Sequence, residues 1–199
     1  MNIEPQTVIF IGPQGSGKGT QIEKLRITLE EIDPTRRVVD IQTGRRFRAM
    51  AAKGEGYTER HVQDTLQSGV LQPLFLSTVL WGDAMIEHVD DECHLLIDGF
   101  PRIVREARIL DTALTFYERY NLHIINLDTP EPVVRERMES RSREDDTAES
   151  IEERLRWYRE ETMPVVEFYR QHQQATVHDI DGTASIETVK ATIREALSV

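Results

Sequence analysis

The chain has 199 residues, of which 39% are hydrophobic and 30% charged, and a mean hydropathy of −0.46, the profile of one globular domain. It contains no run of about 18 apolar residues, and its start, MNIEPQTVIF, has no basic stretch leading into an apolar one, so neither a membrane span nor a secretory signal is expected. A single cysteine, Cys93, excludes an internal disulfide and a cysteine zinc site and suits a reducing cytoplasm, while a net charge of −11 disfavours nucleic acid and requires that any anionic ligand meet a local cluster of cations.

Thr7 to Ile11 (TVIFI) is a short β-branched apolar run, the pattern of a strand buried on both faces of a parallel sheet. The glycine-rich segment Gly12-Pro13-Gln14-Gly15-Ser16-Gly17-Lys18-Gly19-Thr20 follows at once. From Lys18 onward Ile22, Leu25, Leu29 and Ile32 recur at helical spacing until Pro34. Closely spaced glycines between a strand and a helix N-terminus let backbone N–H groups converge on phosphate oxygens, and Lys18 adds a charge for the outer phosphates. The match to G-x-x-x-x-G-K-[ST] is imperfect, because Gly19 takes the hydroxyl position and Thr20 comes one later.

Further apolar runs at Arg37–Ile41, His94–Asp98, His123–Asp128 and Thr176–Asp181 alternate with helical segments. This predicts an α/β fold with a doubly wound, five-stranded parallel sheet. About 50 residues separate the second and third strands, roughly twice what one crossover needs, so a small helical insertion is expected there. Asp98, at the end of the third strand, is placed to hold the hydration shell of Mg²⁺ beside the phosphate loop, with Arg102 just beyond it reaching a second anion. The stretch ERMESRSREDDTAE has no apolar residue after Met138 and reads as an exposed, mobile segment. Seven arginines between Arg135 and Arg159 supply the cation cluster that the net charge demands, and Arg137 and Arg141 stand four apart on one helix face. Glutamates and aspartates interleave with them, so a mixed-charge surface remains the alternative for Arg135, Arg156 and Arg159. Trp81 and Trp157 fall in helical patterns and read as packing residues; His61 and His123 carry no catalytic signal.

Taken together, GPQGSGKGTQ, TGxxxR at Thr43–Arg48, GVLQP at Gly69–Pro73, DGFPR at Asp98–Arg102, REDD followed by Arg154, and DGT at Asp181–Thr183 resemble the nucleoside monophosphate kinases of the adenylate kinase type. The resemblance spans nearly the whole chain. It implies a P-loop core (1–42, 74–134 and 148–199), a monophosphate-binding insertion (43–73) and a short lid (135–147), acting as a monomer on ATP and a nucleoside monophosphate with Mg²⁺ and without zinc. It gives Gly15, Ser16, Gly17, Lys18, Gly19, Thr20, Arg137 and Ala184 to ATP. It gives Thr43, Arg48, Val70, Leu71, Gln72, Gly99, Arg102 and Glu106 to the acceptor, and Arg141, Arg143 and Arg154 to the transferring phosphoryl group, the last two also touching the acceptor. AMP is the family's default acceptor.

Three positions depart from the pattern. Arg45 replaces the aspartate of the usual TGD, the lid is abbreviated even against the family's short form, and Glu106 stands where a glutamine usually reads adenine. A carboxylate only accepts hydrogen bonds, which suits the N1–H and N2–H₂ edge of guanine; otherwise Glu106 turns to solvent and pairs with Arg102 or Arg105. GMP is therefore the alternative acceptor, and a P-loop kinase for another metabolite or a catalytically silent nucleotide-binding module are the rival functions.

Overall fold

The computed structural model describes residues 3–141 and 143–199. Five strands, β1 (Thr7–Ile11), β2 (Val38–Gln42), β3 (His94–Asp98), β4 (Leu122–Asp128) and β5 (Ala175–Asp181), form one all-parallel sheet in the order β2-β3-β1-β4-β5. The strand limits differ from the expected ones by a residue or less at each end. Every residue of β1 is buried, as its unbroken apolar run requires for a central strand covered on both faces. The connections leave β1 toward β2 and β3 and then return past it to β4, so the chain reverses at the C-terminal end of β1, where an open α/β sheet leaves a crevice. Phe10 and Gln42 both lie opposite Asp98 in the register, which gathers the ends of three strands at that crevice.

Helices α4 (Leu74–His88), α5 (Val104–Phe116) and α8 (Met163–Arg170) cover one face of the sheet, where Trp81, Met85, Leu110, Leu114 and Tyr169 pack with Ile9, Leu95 and Ile97. Helices α1 (Lys18–Ile32) and α9 (Ile186–Leu197) cover the other, with Ile22, Leu25, Leu29, Val189 and Ile193 against Val8, Phe10 and Leu127. Each apolar set recurs at spacings of three and four, so one stripe of each helix is removed from water, worth about 25 cal/mol per Å² of apolar area.

The long connection between β2 and β3 begins with α2 (Thr43–Ala51) and α3 (Tyr57–Ser68), whose Phe47 and Val62 form a small separate core with Leu76. Helix α3 ends at Gly69, whose φ of 74° and close approach to the Ser150 backbone leave no room for a Cβ. Between β4 and β5 come α6 (Glu131–Ser140) and α7 (Ala148–Trp157), then a π-helical turn over Tyr158–Thr162 that runs into α8. Here the structure refines an expectation. Most described residues of the arginine-rich stretch 136–149 are exposed, as expected, but its first part is helical rather than loose: α6 runs to Ser140, and Val134 and Met138 pack with Ile151 and Leu155 of α7. The non-helical part is confined to residues 141–147, of which Ser142 lies outside the described residues. Among the described residues no helix is long and apolar enough to cross a membrane.

Candidate active site

The turn from β1 into α1 depends on backbone that side chains disfavour. Gly15 has φ 88°, and a Cβ there would lie 2.7 Å from the Val134 carbonyl oxygen; Gly17, at φ 100°, sets the entry to α1 so that the helix's free amides open outward. Lys18 folds over this loop, its Nζ donating to the carbonyl oxygens of Gly12 (2.7 Å) and Pro13 (2.8 Å). Burial of the ammonium lowers its pKa to about 8, with Asp98 opposing the shift and Arg102 and Arg141 reinforcing it.

Facing the loop is a cavity of about 770 Å³ lined by Gly15 to Gln21 and by Arg48, Arg102, Arg137, Arg141 and Arg143. With Arg45 at the rim, six guanidinium groups thus converge in a chain whose overall charge is −11, the local cluster required above. Arg137 donates to the Gly182 carbonyl (2.9 Å), tying α6 to the end of β5, and Gly182 and Ala184 line the wall beside it. Among the described residues Arg48 and Arg143 make no side-chain hydrogen bond or ion pair. Burial lowers the pKa of both, and the neighbouring arginines push it the same way, a crowding of like charge that an incoming anion would relieve.

Arg102 is held more tightly. Its Nε donates to the Gly99 carbonyl (2.8 Å), and its guanidinium lies 5.0 Å from the centre of the Trp157 ring, a cation–π contact. Trp157 is itself fixed by a 2.8 Å bond from its Nε1 to the Gly69 carbonyl, so it positions Arg102 as well as packing, a role its helical spacing did not reveal. Gly99, at φ 84°, lets Thr43 close in: a Cβ would come within 2.6 Å of the Thr43 hydroxyl. Thr43 is buried behind the glycine rather than on the cavity wall, and Val70 is exposed outside it. A smaller recess of about 70 Å³ shares Gly99 and Arg102 with the main cavity and is lined by Phe47, Leu71, Gln72, Ser77 and Glu106.

Glu106 does not turn to solvent and forms no side-chain pair with Arg102 or Arg105. Its Oε1 accepts from the Ser77 hydroxyl (2.5 Å) and the Trp81 indole N–H (3.2 Å), and its Oε2 from the Arg102 backbone N–H (2.8 Å). Ser77 and Trp81 sit four apart on α4, a spacing that puts both on one face, but only the tertiary fold brings them to α5.

Arg154 is 3% exposed and lies behind the cavity wall. It binds both Asp145 and Asp146, and donates to the Leu66 carbonyl (3.1 Å); Asp146 in turn takes Nε and Nη2 of Arg141 at 2.5 and 2.9 Å. The sequence reading gave the two aspartates no role, although the REDD motif carried them; the fold uses them to hold Arg141 and Arg154. Burial alone would raise the Asp146 pKa, but hydrogen bonds and charge from Arg141 and Arg154 hold it below the usual 3.8. A depressed carboxylate pKa stabilises the fold above the unfolded-state value, and the contribution is lost as pH falls below it. Asp146→Asn removes the carboxylate that Arg141 and Arg154 share, leaving Arg154 with Asp145 and the Leu66 carbonyl, and is expected to cost about 2 kcal/mol in denaturant unfolding at pH 7, with a smaller difference from wild type near pH 3.

Comparison with known proteins decides the lineage. The Adenylate kinase family model matches residues 10–174. The chain is 35% identical to an adenylate kinase of Corynebacterium urealyticum, over 92% of this chain and 93% of that protein, and 34% identical to adenylate kinase 1 of Nostoc, over 96% and 97%. Adenylate kinase 1 of Schistosoma mansoni is 36% identical over 88% and 86%. The chain belongs to the adenylate kinase family. It is therefore an ATP-dependent phosphotransferase, a nucleoside monophosphate kinase on a P-loop fold. Within this adenylate kinase framework the unusual features are local: Arg45, exposed on the cavity rim 4.0 Å from Asp40, and the Ser77–Trp81–Glu106 cluster.

Proposed function

We propose that the chain transfers the γ-phosphoryl group of Mg·ATP reversibly to AMP, yielding two ADP. The observation that carries this reading is that the glycine loop and six arginines line one cavity, which offers anion-binding groups at two places rather than one. In this reading Gly15, Ser16, Gly17, Gly19 and Thr20 cradle the outer phosphates of ATP with their backbone and first-turn groups, and Lys18 exchanges its two carbonyl partners for phosphate oxygens. Arg137 and the chain at Ala184 flank the donor base. Arg48, Arg102 and Arg143 hold the acceptor phosphate, Arg141 and Arg143 follow the charge on the phosphoryl group in flight, and Arg154 acts through Asp146 by fixing Arg141.

These residues suffice for the chemistry. Phosphoryl transfer spreads charge over the equatorial oxygens of a loose transition state, so catalysis is in-line placement plus neutralisation. The acceptor oxygen is already anionic, and no general base is needed. Closing residues 141–147 over the cavity would keep water from competing as acceptor. Among the described residues the Asp98 Oδ1 is buried without a hydrogen-bond partner at the end of β3, and Asp98 lines the cavity; a hard oxygen there fits the hydration shell of Mg²⁺, which when bound would neutralise phosphate charge.

A second reading, GMP as acceptor, is favoured by Glu106. Two donors already occupy its Oε1 and one its Oε2, which leaves an accepting position on Oε2 at the small recess. Adenine can give its N6 hydrogen there but sets its N1 lone pair near the anion, whereas guanine presents N–H groups. A coupled assay of AMP, GMP, CMP, UMP and dTMP with ATP distinguishes the two, and AMP is expected to be fastest. Glu106→Gln should raise kcat/KM for AMP over GMP by about tenfold. Equal rates on all five monophosphates would remove base reading from this site.

A further inference from the structure

We infer that Thr162 is a positioning residue for the acceptor phosphate, set onto the backbone of Arg102 by the π-helical turn between α7 and α8; the inference rests on the reading that Arg102 grips the acceptor. The Thr162 hydroxyl donates to the Arg102 carbonyl oxygen (2.9 Å) across 60 residues of chain, and Thr162, 5% exposed, lines the main cavity. A threonine in a helix ordinarily bonds a carbonyl of its own preceding turn, so a bond to another segment marks a different use. Arg102 is thereby held at four points. Its backbone N–H donates to Glu106, its Nε to Gly99, its guanidinium lies over Trp157 and its carbonyl takes Thr162. The first two bonds are local, and the last two fix the loop after β3 against the far end of α7. An arginine fixed before the anion arrives loses little side-chain freedom in binding it.

The wide turn explains how a threonine reaches this spot. Trp157 and Thr162 stand five apart, and on an α-helix such residues point about 140° away from each other. Pro164 breaks that regularity, because it has no N–H to return to residue 160 and its ring crowds that carbonyl. The Met163 N–H reaches instead to the Tyr158 carbonyl, five residues back, and the widened turn brings positions five apart onto one side. Both side chains therefore meet Arg102, the indole at its guanidinium and the hydroxyl at its carbonyl. Regular spacing would put Glu160 and Glu161, three and four beyond Trp157, on that side. Both glutamates are exposed, and Glu160 pairs with Arg156. The turn thus presents a neutral donor where an unbroken helix would bring a carboxylate toward the acceptor anion and repel it.

Steady-state kinetics of the full chain test the inference. Thr162→Val, which keeps the shape and removes the donor, should raise KM for AMP about tenfold while kcat and KM for ATP stay within about twofold of wild type, and Thr162→Ser should restore the wild-type KM. In an Arg102→Lys background the valine change should add less than about twofold, because the hydroxyl acts only through Arg102. Thr162→Ala unpairs the same carbonyl without a second methyl and repeats the test where valine crowds the turn. An unchanged KM for AMP in both variants, while Arg102→Lys raises it, overturns the inference and leaves the acceptor reading of Arg102 intact. Equal losses in the serine and valine variants, or losses that add to that of Arg102→Lys, also overturn it, assigning Thr162 to packing alone. A change in KM for ATP rather than AMP, shared with Arg102→Lys, overturns the inference together with the acceptor reading.

Discussion

Lys18→Ala is expected to lower kcat by at least about 10³-fold while leaving the fold in place. The ammonium is the one lysine charge on the cavity wall, and its folded conformation binds only two loop carbonyls. Losing those bonds costs about 1 kcal/mol, offset by removal of a buried charge, so the melting temperature should move by no more than about 5 °C. The same residue sets a pH limb. With its pKa lowered to about 8 in the free protein, the charge that meets the triphosphate is lost as pH rises through that value, and kcat/KM for ATP should fall accordingly. Bound phosphate favours the charged form, so kcat itself should hold to higher pH. Lys18→Arg, whose charge does not titrate, should flatten the kcat/KM limb even if its absolute rate is lower. A near-normal rate for the alanine variant would remove Lys18 from the reaction.

Arg102→Lys is expected to reduce kcat/KM for the monophosphate by about 10²-fold with little change in ATP affinity. The guanidinium uses Nε to hold the Gly99 carbonyl and lies over the Trp157 ring, and Arg102 lines the cavity. A lysine keeps the charge but supplies neither the anchor nor the stack. Trp157→Leu should reproduce part of the loss in KM for the acceptor. An Arg102→Lys enzyme that loses ATP affinity instead would place the arginine on the donor side.

The central architecture was legible because its signals are local. An unbroken β-branched run makes β1, glycines followed by Lys18 make the loop, and Asp98 and Arg102 fall next to that loop because parallel strands bring their C-terminal ends to one edge. What sequence hid depends on contacts between distant segments. The stretch around Arg141 reads as solvated because charged residues of both signs crowd it, and most of it is exposed, but the sequence did not show that Asp146 turns inward to join Arg141 to the buried Arg154. Glu106 is four residues beyond Arg102, so a side-chain pair was a natural expectation; instead the backbone of Arg102 and two residues of α4 claim the carboxylate. Trp157 carries no motif at all, and its partnership with Arg102 joins positions 55 residues apart.

The account rests on one chamber gripping two nucleotides at once. Calorimetric titration with a molecule that links two adenosines through five phosphates tests it most directly. One molecule should bind per chain, orders of magnitude more tightly than ATP or AMP alone, and both Lys18→Ala and Arg102→Lys should weaken it, because a linked ligand collects both grips for a single loss of freedom. Two molecules per chain, or an affinity no better than that of ATP, would contradict the account.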